Sequence, residues 1–338
     1  MKIIIDAMGG DNAPEEIVKG AAEAAKEFGV DIVLVGLETE VRRCLKDCGA
    51  ADVANITVVN ASEVVTMEDD PSTATRTKKD SSLTVGLTLL KDGEGDAFVS
   101  AGSTGALLTG ATLIVKRIRG VRRACMAPVL PNGGKGALLI DCGANAECSE
   151  EYLLQFACMG SFYAKKLLGY ESPRVALLNI GAEETKGTAL QKNTCALLKQ
   201  AGEAGRIRFV GNIEGGDIFF NKADVVVADG FTGNVMLKTI EGSAKFLMKN
   251  LKGVFLSSAK TKLAAALVKK DLDKLKKLLD PSEVGGTPLL GISRPVIKAH
   301  GGSDARAIRG AVKQAIAAVN ADVAAEIAAN IEYMKLKD

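Results

Sequence analysis

The chain has 338 residues, 47% apolar and 25% charged, with 36 glycines and aromatics held to 4%. That balance suits about two average domains or one large α/β unit and excludes a disordered or coiled-coil chain. Forty-three basic against 41 acidic side chains leave a net charge of +2, so no global field draws the molecule to nucleic acid. One histidine, His300, excludes HExxH and Cys2His2 zinc sites, and neither metal nor cofactor is expected.

Short apolar runs follow one another at 2–8, 31–36, 55–60, 96–102, 136–143, 174–181, 206–211 and 223–230. Each reads as a strand buried on both faces, as in a parallel sheet. Helical patterns over 14–28, 150–168 and 188–201 separate them, so an α/β layered fold is predicted. Residues 303–334 read as one long closing helix capped by Ser303 or Asp304. Seven cysteines without a CxxC pair read as free thiols in a reducing cytoplasm, and no apolar run approaches a membrane-spanning length.

The segment 245–280 breaks the pattern. Ten lysines against three aspartates give it +7, which leaves −5 for the rest of the chain. Its apolar residues recur at helical spacing on either side of Ser257 and Ser258, predicting two protruding basic amphipathic helices joined by a short apolar tip. The alternative is a dimer or core helix pair with solvated lysines.

Ligands of parallel sheets gather beyond the carboxyl ends of the strands. Here those ends carry Gly9 to Pro14, Ala101 to Gly105, Cys142 to Asn145 and Asp229 to Asn234. Such turns offer backbone N–H groups to an anion, although turn glycines also serve positive φ alone. Nucleotide fingerprints are absent: Gly181 to Thr188 reverses the Walker order, and Gly93-Glu94-Gly95 precedes a strand instead of following one. Arg76, Lys78 and Lys79 form either a phosphate clamp or a solvated helix face. Lys186 suits an electrostatic role or a surface ion pair, and His300, in the turn opening the last helix, either donates to substrate or holds the turn. Cys142 and Cys148 bracket Asn145 without an adjacent base, so neither is read as a nucleophile.

The ordered blocks IIIDAMGGDNAP (3–14), DDPSTATRTKKDSSL (69–83), VSAGSTGALL (99–108), LLIDCGANAEC (138–148), LLNIGAEETKGT (177–188), VGNIEGGDIF (210–219), ADVVVADGFTGNVMLKTIEG (223–242) and GGTPLLGISRPVIKAHGGSDA (285–305) resemble the bacterial acyl-ACP:phosphate acyltransferases of phospholipid synthesis. The resemblance covers nearly the whole chain. It implies transfer of a long acyl chain from acyl carrier protein to inorganic phosphate, the acyl phosphate then feeding a membrane glycerol-3-phosphate acyltransferase. It also implies a three-layer α/β/α fold with a large, mostly parallel sheet, similar to phosphotransacetylase and to isocitrate and isopropylmalate dehydrogenases. A homodimer and peripheral association with the inner face of the cell membrane follow from the same resemblance. The expected architecture is one catalytic unit of two intertwined subdomains, 1–130 with 301–338 and 131–300. A short-chain phosphotransacetylase acting on acyl-CoA and a non-catalytic membrane-associated scaffold are the rival readings.

Phosphate near neutral pH is already an anionic nucleophile and a thiolate leaves readily, so the reaction needs a cradle and oxyanion donors more than a catalytic triad. On this reading Lys186, His300 and Asn145 are the candidate catalytic groups. Asp6, Gly9, Gly10, Arg76, Lys79, Ser103, Thr104, Gly105, Asn179, Asn234 and Ser303 are the candidate phosphate or substrate ligands. Phe255, Leu256, Lys260, Lys262, Leu263, Leu267, Lys269 and Lys270 are the candidate contacts to carrier protein or an anionic membrane surface.

Overall fold

The eight apolar runs form strands, and four short ones join them, in a computed structural model that describes residues 1–272 and 285–335. In chain order they are β1 Lys2–Asp6, β2 Asp31–Gly36, β3 Ile56–Asn60, β4 Ala97–Ser100, β5 Cys125–Met126 and β6 Val129–Leu130, followed by β7 Ala137–Ile140, β8 Arg174–Leu178, β9 Arg208–Ile213, β10 Val225–Val227, β11 Thr287–Leu290 and β12 Val296–Lys298. β4, β7 and β10 are buried throughout, whereas β3 and β9, each at the edge of its sheet, alternate in exposure.

The strands divide between two sheets, ordered β3-β2-β1-β4-β12-β11-β5 and β6-β7-β10-β8-β9. Pairing is parallel except where β11 meets β12 and β5, and where β6 meets β7. The chain passes from the first sheet to the second between β5 and β6, at Ala127-Pro128, where proline has no N–H to continue a ladder. β11 and β12 belong to the first sheet, so the chain returns before Thr287 and not at 301.

Three apolar layers result. Helices Glu15–Phe28 and Ala305–Ala321 pack Ile17, Val18, Ala21, Ile308 and Val312 onto Ile3, Ile5, Ile32 and Leu34 of the first sheet. Helices Glu150–Lys166 and Ala189–Glu203 cover the second sheet. Helix Ser82–Asp92 supplies Leu83, Leu87 and Leu90 to a central cluster holding Ile4 and Phe98 of one sheet and Leu139, Ala176 and Val226 of the other. Each such side chain contributes about 1.5–3 kcal/mol on full burial, so the shared cluster ties the sheets into one unit.

Two expectations about helices change. The closing helix is not continuous over 303–334: Asp322 adopts φ 46°, ends helix Ala305–Ala321 and caps helix Val323–Ala329, after which a 3₁₀ turn spans Ile331–Met334. Left-handed backbone cannot propagate a right-handed helix. The first basic helix begins earlier than 245, at Gly230 directly after β10, and runs 27 residues to Leu256. It ends at Ser257 as expected, and Ser258 caps helix Ala259–Leu267 in reciprocal bonds with Thr261. Residues 273–280 of the predicted hairpin lie outside the described residues.

Candidate active site

Three neighbouring parallel strands, β1, β4 and β12, end in Asp6, Ser100 and Lys298, with Lys298 in register with Ser100. All three are buried. Ser100 Oγ donates to Asp6 Oδ2 at 2.7 Å, and the Gly102 N–H donates to Ser100 Oγ at 3.1 Å. Lys298 Nζ donates to the Ala101 carbonyl at 3.2 Å and to the Ala299 carbonyl. Burial raises the Asp6 carboxyl above its usual range. Burial likewise pushes the Lys298 ammonium down to about 8, against the opposing pull of Asp6. No salt bridge to a carboxylate holds Lys298 among the described residues, so a buried cation faces the space above the strand ends.

Two glycine turns stand over this row. The Asp11 N–H donates to Gly301 O at 2.8 Å, and Asn12 Nδ2 donates to the carbonyls of Gly302 and Ser303, each at 3.3 Å. Side chains are barred where the turns meet the strands: a Cβ on Gly9 would lie 2.4 Å from Asp6 Oδ2, and Gly10 holds φ +112° beside Gly301. In the second turn, Ser303 Oγ donates to His300 O at 2.7 Å, and the Gly302 N–H donates to His300 Nδ1 at 3.1 Å. Accepting that bond assigns the neutral ring's proton to Nε2. Burial, aided by Lys238, lowers the His300 pKa and favours this neutral form.

A cleft of about 1450 Å³ opens between these turns and the second sheet. Its polar lining includes Asp11, Lys238, Lys298, His300 and Ser303, and Cys142, Gly143 and Asn234 approach from the ends of β7 and β10. Burial pushes the Cys142 thiol up to about 12, which makes it an inert lining group instead of a thiolate nucleophile.

Of the residues singled out in the sequence, Gly10, Thr104, Asn234, His300 and Ser303 line this cleft. Asp6 and Gly9 sit behind its floor, Ser103 accepts from the Ala106 N–H as a helix cap, and Gly105 packs on Pro71. The Asn145 amide donates to Ala124 O and Asp141 Oδ2, so its donors tie the turn after β7 to the chain entering β5. Asn179 Nδ2 donates to Lys186 O, bracing the loop after β8 in which Lys186 is exposed, outside the cleft lining. Arg76 and Lys79 are also exposed and outside it. Their neighbour Lys78 is instead fixed, donating to Asp69 Oδ2 at 2.7 Å and Val64 O at 2.8 Å. Phe255 is half-buried, whereas Leu256, Leu263 and Leu267 and the lysines at 260, 262, 269 and 270 are exposed.

Lys298 and Lys238 are cleft residues that sequence reasoning missed, whereas Asp11 belongs to the Gly9 to Pro14 turn it singled out. Lys298 closes a three-residue strand, too short for periodicity to show, and only strand pairing brings it beside Asp6 and Ser100. The available signal was a lysine ending the apolar run PVIK (295–298) just before the glycine turn.

The fold has solved counterparts. It is that of the phosphotransacetylases: the enzyme from Streptococcus pyogenes superposes with a TM-score of 0.63 at 19% identity, covering 96% of this chain and 94% of that one. A branched-chain phosphotransacylase from Enterococcus faecalis follows at 0.56 and 14%, with 94% and 99% covered. The family described as "Fatty acid synthesis protein" matches residues 1–326, and the chain belongs to it. Among its relatives, the phosphate acyltransferase of Oceanobacillus iheyensis is 49% identical over 98% of each chain. That of Clostridioides difficile is 45% identical, over 94% of this chain and 92% of its own.

Proposed function

We propose that the protein transfers a long-chain fatty acyl group from acyl carrier protein to inorganic phosphate, releasing acyl phosphate and free carrier for phospholipid synthesis. The buried Lys298 carries this reading. It has no salt bridge to a carboxylate among the described residues, its Nζ spends bonds on two backbone carbonyls, and an ammonium has three donors. A buried cation that no carboxylate bonds directly is costly until an anion arrives, and phosphate is the anion the family's reaction supplies. Lys238 and the Gly10 and Gly302 turns complete the cradle.

A phosphate oxygen attacks the thioester carbon, the carbonyl oxygen takes the negative charge, and collapse expels the carrier thiolate while the acyl–oxygen bond remains. His300 Nε2–H is the proposed donor to the developing oxyanion or departing sulfur. Purified protein given palmitoyl-carrier should release free carrier only when phosphate is present. Release at the same rate without phosphate contradicts the reading. The apolar half of the cleft favours a fatty chain over acetyl-CoA, and comparing turnover of the two thioesters separates these substrates.

Lys186 is proposed as a third cation that reaches the reacting groups from the exposed loop after β8. Lys186→Ala is expected to cut turnover about 10²-fold, the scale of losing one oxyanion donor, with circular dichroism unchanged. A variant near the wild-type rate removes the loop from the chemistry.

The basic hairpin serves the partners. Leu256, Leu263 and Leu267 are 52%, 66% and 80% exposed among lysines, which suits the acidic carrier protein and an anionic bilayer where a membrane glycerol-3-phosphate acyltransferase uses the product. No helix among the described residues is long and apolar enough to cross a membrane. Replacing Lys260, Lys262, Lys269 and Lys270 with glutamine should weaken co-sedimentation with anionic vesicles at least about tenfold. Unchanged, salt-sensitive binding would exclude these lysines from the contact. A homodimer accounts for exposed Ile180, Phe220 and Phe231, and sedimentation equilibrium tests it.

A further inference from the structure

We infer that Asp6 is a positioning residue of the phosphate site: its charge, set apart from Lys298 by Ser100, holds that lysine as an ammonium, and its carboxylate ties together the turns after β1 and β4. This rests on the phosphate reading above and deepens it with a residue behind the cleft floor.

Asp6, Ser100 and Lys298 end the neighbouring strands β1, β4 and β12, so the serine stands between the two charges. Asp6 is 3% exposed and outside the cleft lining, whereas Lys298 belongs to that lining. Both carboxylate oxygens are committed: Oδ1 accepts the Met8 N–H at 3.3 Å, and Oδ2 accepts the Ser100 hydroxyl at 2.7 Å. Ser100 Oγ in turn accepts the Gly102 N–H at 3.1 Å, which leaves its own proton for Asp6. Asp6 thereby grips the turn after β1 through Met8 and the turn after β4 through Ser100. Lys298 Nζ holds the same second turn at the Ala101 carbonyl.

Charges bear on Lys298 from three elements: Asp6 on β1, Asp11 in the turn that follows, and Lys238 on helix Gly230–Leu256. Asp6 is the strongest of them, and with Asp11 it opposes the burial and the Lys238 repulsion that favour a neutral amine. The pull is mutual, since the Lys298 charge and the Ser82, Ser100 and Met8 bonds work against the burial that raises Asp6. His300, neutral in the bonding above, adds no further charge. A direct ion pair would spend the ammonium's donors on the carboxylate and leave fewer for phosphate. A carboxylate held across a serine favours the charged form and leaves the donor free.

The test removes the charge in two ways, Asp6→Asn and Asp6→Ser, and removes only the link with Ser100→Ala. Thermal melts identify the variants that stay folded. In protein carrying carbon-13 at lysine Cε, the resonance missing from Lys298→Met reports this ammonium without any turnover. Its midpoint, about 8 in the wild type, should fall to about 7 in both charge variants, the scale of one lost opposite charge. The high-pH limb of kcat/KM for phosphate should move with it, so that between pH 6 and pH 8 these variants lose about fivefold more rate than the wild type. A packing role alone would lower the rate evenly across pH. Ser100→Ala keeps the carboxylate, so its midpoint should stay near 8 while KM for phosphate rises about fivefold, the effect of one hydrogen bond.

An unmoved Lys298 midpoint in a folded charge variant, or failure of both charge variants to fold, overturns the assignment. A midpoint that falls as far in Ser100→Ala would give the effect to the hydroxyl and overturn the carboxylate's role, and an unchanged KM there would overturn the tie between the turns. Wild-type protein without phosphate-dependent turnover overturns the phosphate reading instead, and the Lys298 resonance in the same variants still decides whether Asp6 holds the charge.

Discussion

Lys298→Met should lower phosphate-dependent turnover by about 10²- to 10³-fold, the usual loss when one preorganised electrostatic donor is removed. Methionine keeps most of the side chain's volume and removes the desolvation cost of a buried cation that no carboxylate bonds directly. The variant should therefore melt near the wild type while KM for phosphate rises and kcat falls. Wild-type turnover in Lys298→Met would leave the anion cradle without its centre.

The pH profile gives the same residue a signature that packing cannot imitate. Burial sets the Lys298 pKa to about 8 in the free protein. The ammonium is thus mostly charged at pH 7 and is lost as pH rises through 8. Since kcat/KM reports ionisations of the free enzyme, kcat/KM for phosphate should decline above pH 8. Lys298→Arg, which stays charged, should retain whatever activity it has across that range. A decline of equal midpoint in the arginine variant would assign it to another group.

His300→Phe should cost about 10²-fold, at the lower end of what a positioned proton donor contributes. Phenylalanine fills the space of the imidazole but supplies neither the Nε2–H nor the Nδ1 acceptor for the Gly302 N–H. His300→Asn separates these losses, because its side-chain oxygen can accept from Gly302 and steady the turn. If the turn alone mattered, the asparagine variant would recover most of the rate; a donor at Nε2 predicts that it stays low. Wild-type activity should also persist below the ordinary histidine pKa of about 6.5, since burial and Lys238 shift His300 downward. Protonation of Nδ1 would break the Gly302 bond, so an acid limb centred above 6.5 would contradict this assignment.

The strands were legible where three or four apolar residues ran together, as in Ile3 to Ile5 or Ala137 to Ile140. Two-residue β5 and β6 were not, because they carry no period; they exist through pairing with Leu289, Leu290, Leu138 and Ala137. The glycine turns and His300 were visible as punctuation after strands. Lys186 and Asn145 looked alike as polar strand-end groups, yet one is an exposed cation and the other divides its amide donors between Asp141 of its own turn and the distant Ala124 carbonyl. Composition cannot distinguish these cases, since hydrogen-bond partners lie far away in sequence or across a turn.

The sequence by itself determined the α/β class, the family through its ordered blocks, the glycine-rich strand ends and the +7 segment breaking at Ser257. These rest on local chemistry: apolar runs long enough to be buried, glycines where backbones touch, lysines spaced around a helix. Tertiary structure alone decided that the strands form two sheets, that Asp6, Ser100 and Lys298 end side by side, and that a single cleft has a cationic end and an apolar one. Residues 6, 100 and 298 become neighbours only because β4 lies between β1 and β12, and no periodicity along a chain records which strands will be adjacent.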